Sequence, residues 1–193
     1  MLVNRPEDGL RDRLIDAGLE LVASGGTGAV SLRDIARRAG VSHGAPRRYF
    51  PTHVELLSAV ARRGYAVLAA QLGEAAAGST GTVRDQLTAL GRAYLAFAAS
   101  NRGMYELMFR HDLLESNQLG LREVSLPLFR MVTTLIGSAQ PPVGAAPEVA
   151  AGALWANLHG IAQLWGWGSL QLATGLADPE PLLQAALDAH LGP

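Results

Sequence analysis

Residues 31–50 read Ser-Leu-Arg-Asp-Ile-Ala-Arg-Arg-Ala-Gly-Val-Ser-His-Gly-Ala-Pro-Arg-Arg-Tyr-Phe. Ser31 stands where a side-chain oxygen can cap a helix start. Leu32, Ile35, Ala36 and Ala39 then fall on one helical face through Arg38. Gly40 supplies a turn, and Val41 returns an apolar side chain to that face. Ser42 can cap a second short helix over roughly 43–48, although Pro46 makes it begin late or run irregularly. This is the pattern of a helix-turn-helix. Its second helix would carry His43, Arg47, Arg48 and Tyr49 into a DNA major groove. Free N–H groups at its N-terminus could meet a phosphate.

The pattern stays helical on both sides. Leu10, Leu14, Ala17 and Leu21 repeat as one face of an amphipathic helix, which Ser24-Gly25-Gly26-Thr27-Gly28 ends. Residues 1–9 read as a tail. After Phe50, Pro51-Thr52 breaks the chain, and Thr52 with Glu55 fits a capping box for a longer helix. Leu56, Leu57, Val60, Gly64 and Leu68 form its buried stripe. Gly78-Ser79-Thr80-Gly81-Thr82 is a linker. Further helices are expected near 82–100, 102–113, 118–138, 147–168 and 178–191. Pro127 should kink the third of these or mark its start. Gln140-Pro141-Pro142-Val143-Gly144 is a loop. Pro147 and Pro179 occupy first helical turns, with Asp178 as a cap. No strand pattern occurs, so the expected fold is all-α with about nine helices. Its domains are a head over 10–70, with the helix-turn-helix near 33–52, and a bundle over 82–193.

Composition agrees. The chain has 193 residues, 49% hydrophobic, 17% charged and without cysteine. It can bury a core, and it excludes disulfides and thiolate chemistry. Net charge is −1, but all 16 basic residues are arginine. Residues 33–63 hold seven Arg against Asp34 and Glu55, a balance of +5. A basic module on an acidic remainder is the charge signature of a nucleic-acid binder. The N-terminus lacks a signal-peptide pattern and no apolar run suits a membrane span, so a cytoplasmic protein is expected.

Gly25-Gly26, Ser31, Ile35 to Ser42, Tyr49-Phe50 and Thr52 to Leu57 together resemble the N-terminal domain of TetR-type bacterial regulators. Trp155 with His159-Gly160 and Tyr105 to Phe109 resemble one C-terminal subclass. The resemblance implies a homodimeric regulator bound to a double-stranded DNA operator and released by a small-molecule effector, apolar or aromatic in character. It implies DNA contacts from Ser31, Arg33, Ser42, His43, Gly44, Arg47, Arg48, Tyr49 and His53. Two of these depart from the family, which usually has Tyr at the position of Arg47 and Lys at that of His53. Arg47 adds charge, whereas histidine is only partly charged near neutral pH. Arg37, Arg38, Arg62 and Arg63 read as a solvated face.

For the effector, the candidate walls are Phe97, Tyr105, Met108, Phe109, Met131 and Trp155, with Phe129 and Trp165 as lesser ones. Taken singly, each reads better as ordinary core. Asn157 and His159 stand in an otherwise apolar helix, so each needs a buried partner, a cavity or an interface. Arg102 and Arg130 could anchor an anionic effector. For the dimer, Gly152, Ala156 and Gly160 form a small-residue stripe that lets another helix approach closely, and the last helix offers Leu183 and Leu187; packing within the chain is the other reading.

Other classes fit poorly. Gly40-Val41-Ser42-His43-Gly44 matches a nucleophile elbow, but that elbow needs a preceding strand. A Walker loop needs lysine. The five histidines lack metal-ligand spacing, and no cofactor is implied. No nucleophile-base set stands out, so an enzyme is not expected. The remaining alternative is a DNA-binding protein of the same fold without an effector, controlled by a partner protein or by its own abundance.

Overall fold

A computed structural model of the chain describes residues 6–26, 30–138 and 146–192. Its helices are α1 (Pro6–Gly25), α2 (Leu32–Arg38), α3 (Pro46–Tyr49), α4 (His53–Gly78), α5 (Val83–Ser100), α6 (Arg102–Met108), α7 (His111–Ser116), α8 (Leu121–Ser138), α9 (Pro147–Gly166), α10 (Ser169–Thr174) and α11 (Glu180–Leu191). The described residues contain no strand, and the all-α expectation holds.

Several boundaries differ from the sequence reading. α1 starts at Pro6, so helix replaces the second half of the expected tail. The expected helix over 102–113 is two helices. The one over 118–138 opens with a 3-10 turn, Gln118–Gly120, and Pro127 lies inside α8 rather than at its start. Left-handed Asn117 (φ 49°) and Leu119 (φ 55°) cause that break. Gly168, at φ 79°, separates α9 from the unanticipated α10. Pro179, not Asp178, is the N-cap of α11, and the Asp178 carboxylate one residue earlier accepts from the Glu180 amide at 2.9 Å. Thr27, Gly28 and the Gln140–Gly144 loop lie outside the described residues.

The helices group into two compact units that interleave along the chain. One comprises Met1–Ala66 with Asn101–Val124, the other Val67–Ser100 with Ser125–Pro193. α6 and α7 therefore belong with the head. In the first unit, α1 packs on α2, α3 and α6. Leu14, Ile35, Leu56 and Val60 are completely buried there, and Leu57 and Phe50 nearly so. Each such side chain contributes about 1.5–3 kcal/mol by leaving water. Arg11 covers the Phe50 ring, 5.2 Å from its centroid.

In the second unit, α5 packs on α9 and α11, which also pack on each other. Phe97, Leu154, Leu183 and Leu187 fill that core. Gly91 lets Leu183 sit against the α5 backbone, within 2.5 Å of where a Cβ would be. Leu183 and Leu187 are thus fully enclosed by their own chain. This corrects their expected place in a dimer interface: a partner cannot reach them, because α5 already covers that face of α11.

Candidate nucleic-acid interface

The first helix of the motif is fixed at both ends. The Ser31 hydroxyl accepts from the Asp34 amide at 3.1 Å and donates to the Asp34 carboxylate. At the C-terminus the Val41 amide donates to Ala36 and the Gly40 amide to Arg37. That double bond is a Schellman stop, which needs a left-handed residue between. Gly40 provides it at φ +68°. Arg13 donates to the Ala39 carbonyl at 2.6 Å, tying this turn to α1. A Cβ at Gly40 would have room, with only Arg13 Nη2 near, at 4.0 Å. Gly40→Ala should therefore cost about 1–2 kcal/mol through backbone conformation alone. Urea unfolding measures this, and an unchanged midpoint would show that the turn relaxes freely.

The second helix is shorter than its sequence suggests. Residues 42–45 form a turn closed by the Ala45 amide on the Ser42 carbonyl, and α3 spans only Pro46–Tyr49. Ser42 does not cap it. The reason is Pro46: the Ser42 carbonyl would take its helical bond from the residue-46 amide, which proline lacks. Pro46 is itself buried at the first helical position, with Ala45 before it. The expected phosphate-facing amides are accordingly not assembled at residue 43.

The basic side chains divide into two groups. Arg37 pairs with Asp34, Arg38 with Glu20 and Arg63 with Asp12, all exposed pairs. Arg33, Arg47 and Arg48 are exposed, and no hydrogen bond or ion pair holds their side chains among the described residues. Ser42, His43 and Gly44 are exposed beside them, and Tyr49 and Ser31 are half-buried. Thr52 and Glu55 form the expected capping box, the Glu55 amide donating to Thr52 Oγ1 at 3.1 Å. His53 is exposed, but its Nε2–H donates to the Val30 carbonyl at 2.7 Å. That nitrogen is spent on joining α4 to the approach of α2. Arg62 is not part of a solvated face: it donates to the Leu119 and Gly120 carbonyls at 2.6 and 2.8 Å.

The expected effector residues are divided between the two units. Tyr105 and Met108 are core of the first unit, where Phe109 meets the Tyr105 and Tyr65 rings edge-on at 5.0 and 6.0 Å. The Tyr65 hydroxyl donates to the Met108 carbonyl at 2.9 Å. Phe97, Met131, Trp155, Asn157 and His159 belong to the second unit. There Phe97 is buried and Met131 half-buried. Asn157 is exposed and bonds His190 of α11 at 2.7 Å. Trp155 Nε1 donates to the Tyr94 hydroxyl at 3.2 Å, which bonds His159 Nδ1 at 3.0 Å. Phe129 meets Trp155 edge-on at 6.2 Å. The sequence reading missed Tyr94. Its signal was available: Leu87, Leu90, Gly91, Tyr94 and Phe97 repeat on one face, and a hydroxyl on a buried stripe needs a partner.

Burial lowers the His159 pKa, favouring the neutral ring. The unfolded chain therefore binds its proton more readily. His159 contributes stability that is present above the ordinary imidazole range and is lost as pH falls below about 6.5. Thermal midpoints taken from pH 7.5 down to 5 should fall less steeply in His159→Gln than in the wild type. Parallel curves would remove His159 as a source.

Comparison with known proteins agrees with this geometry. The family model described as bacterial regulatory proteins of the tetR family matches residues 14–60. The tetracyclin repressor-like C-terminal domain matches residues 87–190. The chain is similar to the HTH-type transcriptional repressor KstR of Rhodococcus jostii (strain RHA1), 51% identical over 53 residues, 27% of this chain and 25% of the relative. It is 41% identical over 71 residues to KstR of Mycolicibacterium smegmatis, 36% of this chain and 35% of the relative. The chain thus matches only about a quarter to a third of the length of these curated relatives. The structure of a protein of unknown function from Rhodococcus sp. RHA1 superposes with a TM-score of 0.80 at 28% identity, covering 94% of this chain and 93% of that one. With both of the family's domains present in order, the chain belongs to the TetR family of bacterial regulatory proteins.

Proposed function

We propose that the protein is a homodimeric transcriptional repressor that binds a pseudo-palindromic operator and is released from it by a small apolar or aromatic effector. The observation that carries the reading is the trio Arg33, Arg47 and Arg48, exposed and without partners among the described residues, on a helix-turn-helix whose turn is fixed by Gly40. Uncompensated guanidinium groups on such a frame suit phosphate and guanine edges. Two heads would enter successive major grooves, roughly 34 Å apart. Ser42, His43, Gly44 and Tyr49 would complete the contacts, with Ser31 acting as a cap behind them. No helix among the described residues is long and apolar enough to cross a membrane, and a regulator of chromosomal genes would work in the cytoplasm.

A second copy would cover α9. Cβ atoms at Gly152 and Gly160 would meet nothing within 4 Å, and Ala156 is exposed. Val149 and Trp167 on the same stretch are 64% and 60% exposed. Gly160→Arg should make the protein monomeric by equilibrium sedimentation, and a fully dimeric variant would remove this face. The effector would contact the Trp155–Tyr94–His159 chain. The alternative without an effector is favoured by one observation: Phe97, Tyr105 and Met108 are each at most 2% exposed, as in ordinary core. A cleft of 480 Å³ opens elsewhere, on polar residues such as Arg84, Thr88 and Gln184.

The test is selection of genomic fragments by the purified protein at two salt concentrations, followed by sequencing. An inverted repeat bound with steep salt dependence is expected. No enrichment at either salt would overturn the reading.

A further inference from the structure

Arg62 differs from the other arginines near the helix-turn-helix. Arg37, Arg38 and Arg63 hold exposed carboxylates. Arg62 Nη1 instead donates to two successive main-chain carbonyls, Leu119 at 2.6 Å and Gly120 at 2.8 Å. Those residues form the turn between α7 and α8, in which Asn117, Leu119 and Gly120 have φ of 49°, 55° and 65°. Glycine adopts that region freely and asparagine tolerates it, but leucine is disfavoured there. Leu119 is 41% exposed, so burial of its side chain does not account for the conformation. A disfavoured backbone persists only where its surroundings over-determine it. Here the surroundings are Arg62 on the carbonyls and Asn117 Oδ1, which accepts from the Arg122 amide at 2.8 Å.

The position of this clamp in the chain gives it a consequence. α4 begins at His53, whose ring holds Val30 just before α2. Nine residues on, the same helix carries Arg62. α8 begins at Leu121, completely buried and one residue past the clamped turn. Both helices continue from the first compact unit into the second, α4 after Ala66 and α8 after Val124. Arg62 therefore joins the two helices at the point where each is still part of the unit that holds the helix-turn-helix.

We propose that Arg62 is a positioning residue that locks α4 to the start of α8, and that the attitude of the helix-turn-helix needed for operator binding depends on this lock. The inference rests on the DNA-binding reading above. Shifting α8 would break both bonds, let Leu119 relax to the right-handed region and free α4 to turn.

The experiment uses the full chain and the operator duplex recovered by genomic selection, with a scrambled duplex as the non-specific probe. Arg62→Ala should weaken operator binding roughly tenfold, a usual size for site-to-site coupling, while scrambled-duplex binding stays unchanged. Arg62→Lys, which keeps a cationic donor for the Leu119 and Gly120 carbonyls, should lose clearly less than Arg62→Ala. A merely structural role would lower both affinities together. Equal operator affinity in the wild type and Arg62→Ala would overturn the proposal, as would an equal fall on the scrambled duplex. Should Arg62→Ala not fold, Arg62→Met, which keeps the aliphatic stem, decides by the same ratio. A wild type that selects no operator would instead overturn the DNA-binding reading and leave the clamp unassigned.

Discussion

Replacing Arg33, Arg47 and Arg48 together by alanine should lower operator affinity at least about a hundredfold, with on the order of 1 kcal/mol lost per contact. The loss should appear on unrelated DNA as well, since most of these contacts would be to phosphate. The slope of log affinity against log salt should flatten by about 0.9 for each phosphate contact removed. Fold stability should change by no more than about 0.5 kcal/mol, because the three side chains are exposed and hold nothing among the described residues. Anisotropy titrations at several salt concentrations, beside urea unfolding, read both quantities. An unchanged salt slope would take the trio out of the interface. Single variants then sort the roles: a phosphate contact weakens all sequences, and a base contact relaxes preference at one position.

The second large effect is on folding. Gly103 lies within α6, where alanine normally stabilises a helix by about 1 kcal/mol. Here the sign should reverse. A Cβ at residue 103 would fall on the Val22 carbonyl oxygen of α1, with Val22 Cγ1 also at 3.3 Å. Main chain cannot swing aside as a side-chain tip can, so α6 must move off α1. Gly103→Ala should destabilise by about 1–3 kcal/mol. Gly73→Ala is the internal control: the glycine sits in α4 with nothing within 4 Å of an added Cβ. It should stabilise by up to about 1 kcal/mol. If both variants shift the urea midpoint in the same direction, the close approach of α6 to α1 is not rigid. Gly64 is a softer case, because a Cβ there meets the Met104 and Met108 sulfurs, which flexible side chains can withdraw.

Local signals in the sequence were reliable wherever the chemistry was itself local. The Ser31 cap, the Gly40 stop and the Thr52–Glu55 box each depend on residues within a few positions. The buried places of Ile35, Leu56 and Leu57 followed from helical period alone. Pro46 carried the warning that α3 starts late, and the missing proline N–H made it so. Exposure of Arg33, Arg47 and Arg48 was legible too, but their distinction from Arg37, Arg38 and Arg63 was not. Pairing of Arg38 with Glu20 and of Arg63 with Asp12 joins residues 18 and 51 positions apart. Charge counts over a window do not contain such pairs.

By itself, then, the sequence determined an all-α chain with a glycine-stopped helix-turn-helix, because caps, stops and apolar period act over one or two helical turns. Only the tertiary structure decided which long-range partners each side chain met. It placed Leu183 and Leu187 against α5 instead of on an open face, put α6 beneath α1, bound Asn157 to His190, and turned Arg62 onto the Leu119 and Gly120 carbonyls. The physical reason is common to all four. Helical period tells which face is buried but not what buries it. That choice belongs to the packing of helices whose contacts lie tens of residues apart.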